Sequence, residues 1–166
     1  GRFIEATPCP IQYITAPPSF LLYEAAGAQP MANTSNRATV GEESPAIAGF
    51  VLKEPTWVII RGIGPSLNLE SGYIDDPVIT LHADQYLLDD FNDDLENSIS
   101  NDNWQDTRRV ETLEHFKMAP ENENESAIVT YLNPGSYTVH LTSNGESGSG
   151  LVEVYVAPYA LTEETN

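Results

Sequence analysis

The residues best equipped for chemistry in this 166-residue chain are oxygen donors. Asp89, Asp90, Asn92, Asp93 and Asp94 crowd one short stretch, and Asn101, Asp102 and Asn103 follow it closely. Hard cations bind through several carboxylate, amide and carbonyl oxygens at once, so the chemistry this pattern suggests is calcium coordination. It is not an EF-hand loop, because the glycine and the terminal bidentate glutamate of that motif are out of place. The same residues also suit a solvated acidic loop held by Asx turns, and the sequence favours neither reading.

Nucleophilic and acid–base candidates are weaker. His82, His115 and His140 show no metalloprotease spacing, and they read as surface or interface residues of two strands and a helix. Ser66 follows Gly64-Pro65 rather than sitting in a nucleophile elbow, so its expected role is turn geometry. Acidic pairs are so abundant that no one pair stands out as a glycosidase-like dyad. The expectation is a protein without catalytic residues, for which calcium is the one cofactor suggested. Trp104, Tyr73 and Tyr86 form an alternative site, a platform on which sugar rings would stack. Against it stands the plainer reading that Trp104 packs over a helix.

Composition narrows the partners. The formal charge is −18, with seven Lys plus Arg against 25 Asp plus Glu. Phosphate binding needs a basic footprint, so nucleic acid is excluded as a partner, and anionic membrane surfaces are disfavoured for the same reason. No run approaches the ~20 apolar residues of a membrane helix, so no membrane insertion is expected. Cations, other proteins and neutral glycans remain. Cys9 is the single cysteine, so no internal disulfide framework exists. The chain begins at Gly1 rather than Met, as a processed, mature form or a trimmed one would.

The elements that would carry these residues are mostly strands. Ala46–Leu52 and Trp57–Ile63 read as a hairpin turned by Lys53-Glu54-Pro55, the second strand rich enough in β-branched residues to be central and buried on both faces. Gly62, Gly64 and Pro65 then force a turn. Asn33–Val40, Pro77–His82, Gln85–Leu88 (after a turn at Ala83-Asp84), Ser126–Leu132, Ser136–Thr142 and Leu151–Val156 are further strands, with Asn144–Gly150 a flexible connection. Thr107–Met118, with Val110, Leu113 and Phe116 on one face, is the only helix expected. Short strands at regular intervals with turns between them indicate an all-β antiparallel sandwich of jelly-roll or Ig-like type. Residues 1–29 differ in kind. Pro8, Pro10, Pro17 and Pro18 punctuate an arm with one or two short strands at Ile11–Thr15 and Phe20–Glu24. The division expected is an arm over 1–29, a sandwich over 30–158 and a tail over 159–166.

Several runs occur in a familiar order: Asn33–Ala38, Ile47–Val51, Val58–Leu67, Asp76–Leu81, Asn101–Trp104, Ala127-Ile128, Pro134–Thr138 and Leu151–Tyr155. Together they resemble a poorly characterised β-sandwich module of secreted bacterial proteins. They are loosely similar to bacterial pre-peptidase C-terminal domains, which are non-catalytic and sometimes bind calcium. The resemblance covers about Pro30 to Ala157. It implies an extracellular accessory or structural module and brings no catalytic residue with it. The chain departs from it in a longer, more acidic Asp89–Ser100 region and in the arm. That arm carries Phe3, Ile4, Ile11, Tyr13, Ile14, Phe20, Leu21 and Leu22, apolar surface that must be buried somewhere. The function expected is self-association through the arm into a filament or surface layer, with copies of the chain as partners. The alternative is a calcium-dependent glycan-binding or adhesion module, with an extracellular glycan as partner.

Overall fold

A computed structural model describes residues 11–12, 21–23, 32–41, 43–87 and 96–157. Ten strands run through it: β1 (Ile11–Gln12), β2 (Leu21–Tyr23), β3 (Ala32–Val40), β4 (Ala46–Leu52), β5 (Thr56–Ile63), β6 (Pro77–Leu87), β7 (Glu96–Asn101), β8 (Ser126–Leu132), β9 (Gly135–Ser143) and β10 (Gly148–Ala157). They form two antiparallel sheets, in the orders β1-β4-β9-β6-β7 and β2-β3-β10-β5-β8. The fold is an all-β sandwich with one short helix.

Period-2 alternation explains the layers. In β5 the side chains of Val58 and Ile60 join Phe50, Leu52, Ile79, Leu81, Val139, Leu141, Val152 and Val154 in the core between the sheets. Trp57 and Ile59, on the opposite face of β5, enter a second cluster with Leu113, Ala127 and Val129, against which Trp104 and Met118 pack. The helix α1 (Val110–His115) and the 3₁₀ turn Trp104–Asp106 contact β8 on this outer face, so β5 is buried on both sides, as its composition required.

Four expectations are corrected. The Ala46–Ile63 segment is not a hairpin: β4 lies in the first sheet and β5 in the second, so Lys53-Glu54-Pro55 arches across the end of the sandwich. Among the described strands only the β2–β3 and β6–β7 links stay within one sheet. Each arch lets two successive strands both turn their apolar faces inward, one from each side of the core. The centre of the second sheet is accordingly β10, with β5 between it and β8. Second, β6 passes through Ala83-Asp84 without turning and absorbs the irregularity as a shift of register against β7. Third, the helix is six residues long. It stops where Lys117 takes a left-handed conformation at φ 55°, a common way to end a helix. Fourth, Gly148–Gly150 belongs to β10 rather than to a flexible connection, because Ile74 N–H donates to Ser149 C=O at 3.0 Å and Gly148 packs on the Tyr73 backbone.

Trp57 links the helix to the sheet. Its ring lies edge-on to Tyr131 at 5.4 Å, and the Arg109 guanidinium sits 4.2 Å from its centroid. Trp57→Ala is therefore expected to cost about 3–5 kcal/mol in urea unfolding. A loss well under ~1 kcal/mol would show that the outer cluster holds nothing in place.

Candidate functional site

The turn after β5 exposes backbone N–H groups at Gly64 and Ser66 that no strand can satisfy, and the chain supplies a carboxylate to meet them. Glu125, with 0% exposure, accepts from Gly64 N–H (2.9 Å), Ser66 N–H (2.8 Å) and the Ser66 hydroxyl (2.6 Å). The Asn122 N–H adds a longer contact at 3.4 Å. A side chain at Gly64 would strike the Ile74 carbonyl, so only glycine lets the turn close this tightly. Ser66 has no histidine among these partners, and its hydroxyl donates to a buried carboxylate. Its place is the turn, as expected.

Neighbouring motifs lock onto the same point. Trp104 N–H donates to the Glu125 carbonyl (2.8 Å) and the Trp104 indole N–H donates to Asn122 C=O (3.2 Å). Asn101, at the end of β7, accepts from Ala127 N–H (2.8 Å) and donates its amide to Asn103 C=O (3.0 Å). Of the residues suggested as calcium ligands, Asn101 thus has its side chain engaged at both ends within the protein.

Asp102 points elsewhere. It lies against Asp76, from the loop before β6, and accepts from the Asn144 amide at 3.1 Å, while Asn144 N–H donates to Asp76 C=O at 3.0 Å. Partial burial, then the charge and hydrogen bond of Asp76, then the charge of Asp106 hold the Asp102 carboxyl above its ordinary value of 3.8. Two carboxylates in contact repel, and a cation between them removes that repulsion. The donor set fits a calcium ion only in part. Among the described residues no three His, Cys, Asp or Glu side chains converge on one point, so carbonyls and water would fill most of the six to eight positions.

The remaining candidates are dispersed. Asp89, Asp90, Asn92, Asp93 and Asp94 lie outside the described residues, as do Cys9 and the arm residues Phe3, Ile4, Tyr13, Ile14 and Phe20. Ile11, Leu21 and Leu22 belong to β1 and β2. Trp104 sits in the outer cluster over the helix side of the second sheet, and Tyr73 bridges to Ser149 at the start of β10. Tyr86 belongs to β6, in the other sheet from the strands beneath Trp104. His115 packs edge-on to Phe116 at 4.9 Å. The structure does bring His82 and His140 together, with ring centres 4.5 Å apart. Burial first and His82 second hold His140 below its ordinary value of 6.5.

Sequence reasoning missed Glu125 and the histidine pair. For the first a signal existed: a turn with a glycine, a proline and unmet N–H groups needs an acceptor, although Gly62, expected to share in that turn, lies within β5. For the second none did, because only strand register joins the two rings.

These features define an all-β sandwich whose Glu125 cluster serves the fold. No protein-family model and no curated protein matches the chain. Among solved structures it is loosely similar to the pre-peptidase C-terminal domain of collagenase from Bacillus anthracis, at 11% identity and a TM-score of 0.43, over 74% of this chain and 88% of that one.

The geometry sets two expected outcomes. Glu125→Ala should cost on the order of 3 kcal/mol in urea unfolding, since it strands several donors at once, whereas Ser66→Ala should cost about 1 kcal/mol. Equal and small losses would mean that the cluster holds nothing. For Asp102, whose folded-state value is raised, ionisation costs stability. The cost is absent below 3.8 and sets in as the pH rises through the folded-state value. Asp102→Asn should therefore raise the melting temperature at neutral pH in chelator and leave it unchanged in strong acid. A lower melting temperature at neutral pH would overturn this.

Proposed function

We propose that the chain is a non-enzymatic, extracellular structural protein that associates with copies of itself through its N-terminal arm strands. One observation carries the reading. β1 pairs with β4 at Ile11↔Leu52 and Gln12↔Val51, while β2 pairs with β3 at Leu21↔Ser35, Leu22↔Thr34 and Tyr23↔Asn33. Since β3 faces β4 across the core, both arm strands lie along the same flank of the sandwich, one on each sheet.

This supports strand exchange for physical reasons. Strand addition takes its affinity from backbone hydrogen bonds, which any copy of the same edge can supply. Among the described residues the arm pairs with Val51 and Leu52 of β4 and with Asn33, Thr34 and Ser35 of β3. An arm that leaves its own flank for the next copy's flank makes a head-to-tail contact, and one that does not close gives a filament. The extracellular setting is taken from the sequence resemblance to secreted modules. Calcium enters as a cofactor at Asp76 and Asp102, where it would relieve repulsion, and other cations act by screening the −18 charge. The glycan-binding alternative has no comparable support, because the Trp104 indole is already engaged with Asn122 and the outer cluster.

Full-length protein and a variant lacking residues 1–24 should be compared by light scattering and electron microscopy, in chelator, in calcium and at raised salt. The full-length chain is expected to polymerise, more readily with calcium or salt, and the truncated one to stay monomeric with its strand signature in circular dichroism retained. Identical polymers from the truncated chain, or a full-length chain that stays monomeric throughout, would sink the reading.

A further inference from the structure

The outer face of the first sheet carries a pair of histidines that the proposed function does not use. β6 and β9 run antiparallel with Thr80 opposite His140 and His82 opposite Thr138. The two histidines are diagonal neighbours on one face, both half-buried. Their ring centres lie 4.5 Å apart, with planes inclined at 57°. Among the described residues neither imidazole has a hydrogen bond or ion pair with another side chain or the backbone, so the partner of each ring is the other ring.

That arrangement has the dimensions of a chelate. Two imidazoles on one ion, with metal–nitrogen bonds of about 2.0–2.1 Å, set their ring centres roughly 4.5 Å apart at a right angle and roughly 5.2 Å apart at the tetrahedral angle. The inclined planes leave an open wedge rather than a flat stack. Imidazole nitrogen suits zinc, copper and nickel, whereas calcium and magnesium prefer oxygen, so this pair selects a different class of ion from the Asp76–Asp102 cluster. The strands fix the geometry in advance: β9 is hydrogen bonded on both sides, to β4 and β6, and β6 lies between β9 and β7. We propose that His82 and His140 form a two-histidine site for a divalent transition-metal ion such as Zn²⁺ or Cu²⁺, water completing the coordination. Nitrogen sites hold copper more tightly than zinc, and the same order is expected here.

The test uses the full chain, stripped with chelator and titrated by calorimetry with Zn²⁺ and separately with Cu²⁺, in excess Mg²⁺ to occupy carboxylates. One ion per chain should bind, copper more tightly. His82→Gln and His140→Gln should each weaken binding at least ~10-fold, the least that losing even an outer-shell partner costs a metal site, while His115→Gln and Cys9→Ser leave it unchanged. In the unmodified protein, zinc should shift the NMR resonances of the His82 and His140 imidazoles and not those of His115, a reading that requires no substitution. Binding that survives both strand-histidine substitutions, or no binding of either metal in excess Mg²⁺, would overturn the proposal.

Discussion

A carboxylate with no exposure to water is costly unless it is fully hydrogen bonded, and in this protein one end of the sandwich is arranged around meeting that requirement. Glu125 receives the N–H groups of Gly64 and Ser66 and the Ser66 hydroxyl. Its own carbonyl receives Trp104 N–H. Three stretches of the chain thereby meet at one residue: the turn after β5, the segment after β7 and the lead into β8. Removing any one of them would leave buried polar groups without partners, which is why a single charge can hold a turn, a 3₁₀ helix and a strand end in register.

The Arg61–Glu153 pair makes a contrast. Arg61 Nε donates to Glu153 at 2.8 Å on the outer face of β5 and β10, and another guanidinium nitrogen donates to Met118 C=O at 3.0 Å. Here the charge of one side chain answers that of another, and part of the pair still meets solvent. Backbone dipoles answer Glu125 instead, so no cation is needed beside it. In a chain with 25 acidic and seven basic residues, that solution suits the composition: one carboxylate is buried without consuming a scarce arginine or lysine.

Local pattern made much of the fold legible and left its connections obscure. The alternation of Tyr137, Val139 and Leu141 with Ser136, Thr138 and His140 identifies β9 by itself, and the β-branched run Val58–Ile60 identifies a doubly buried strand. What spacing cannot tell is whether a short polar link folds back in the plane of one sheet or crosses to the other. Lys53-Glu54-Pro55 satisfies both, and the inward faces of β4 and β5 decide for the crossing. β7 was hidden for a related reason: Glu96–Asn101 has one apolar residue, Ile99, which the edge strand packs against the core. The polar cluster was half legible. Asn101–Trp104 stood out as a motif, but the run Glu121-Asn122-Glu123-Asn124-Glu125 offers three carboxylates of one kind, and only the position of the Gly64–Ser66 turn selects the last of them for burial.

The sandwich's flanks give the arm its significance. Because β4 faces β3 and β7 faces β8 across the core, each flank presents two parallel rows of backbone groups, one from each sheet. Edge strands left open invite pairing with other chains, and folded proteins manage them by covering, shortening or charging them. On the β7–β8 flank the edge strand β7 is short and polar, and the outer face beside β8 is covered by the helix segment. On the β3–β4 flank the described residues of the arm pair with both sheets, Ile11 and Gln12 with β4 and Leu21–Tyr23 with β3. The backbone pairing that the arm makes there is of a kind that an identical flank on a neighbouring copy would also supply. On the self-association proposed above, two such rows on one flank would favour exchange of the whole arm over exchange of either strand alone, since a neighbour that accepts β1 would present the matching site for β2 directly across its core.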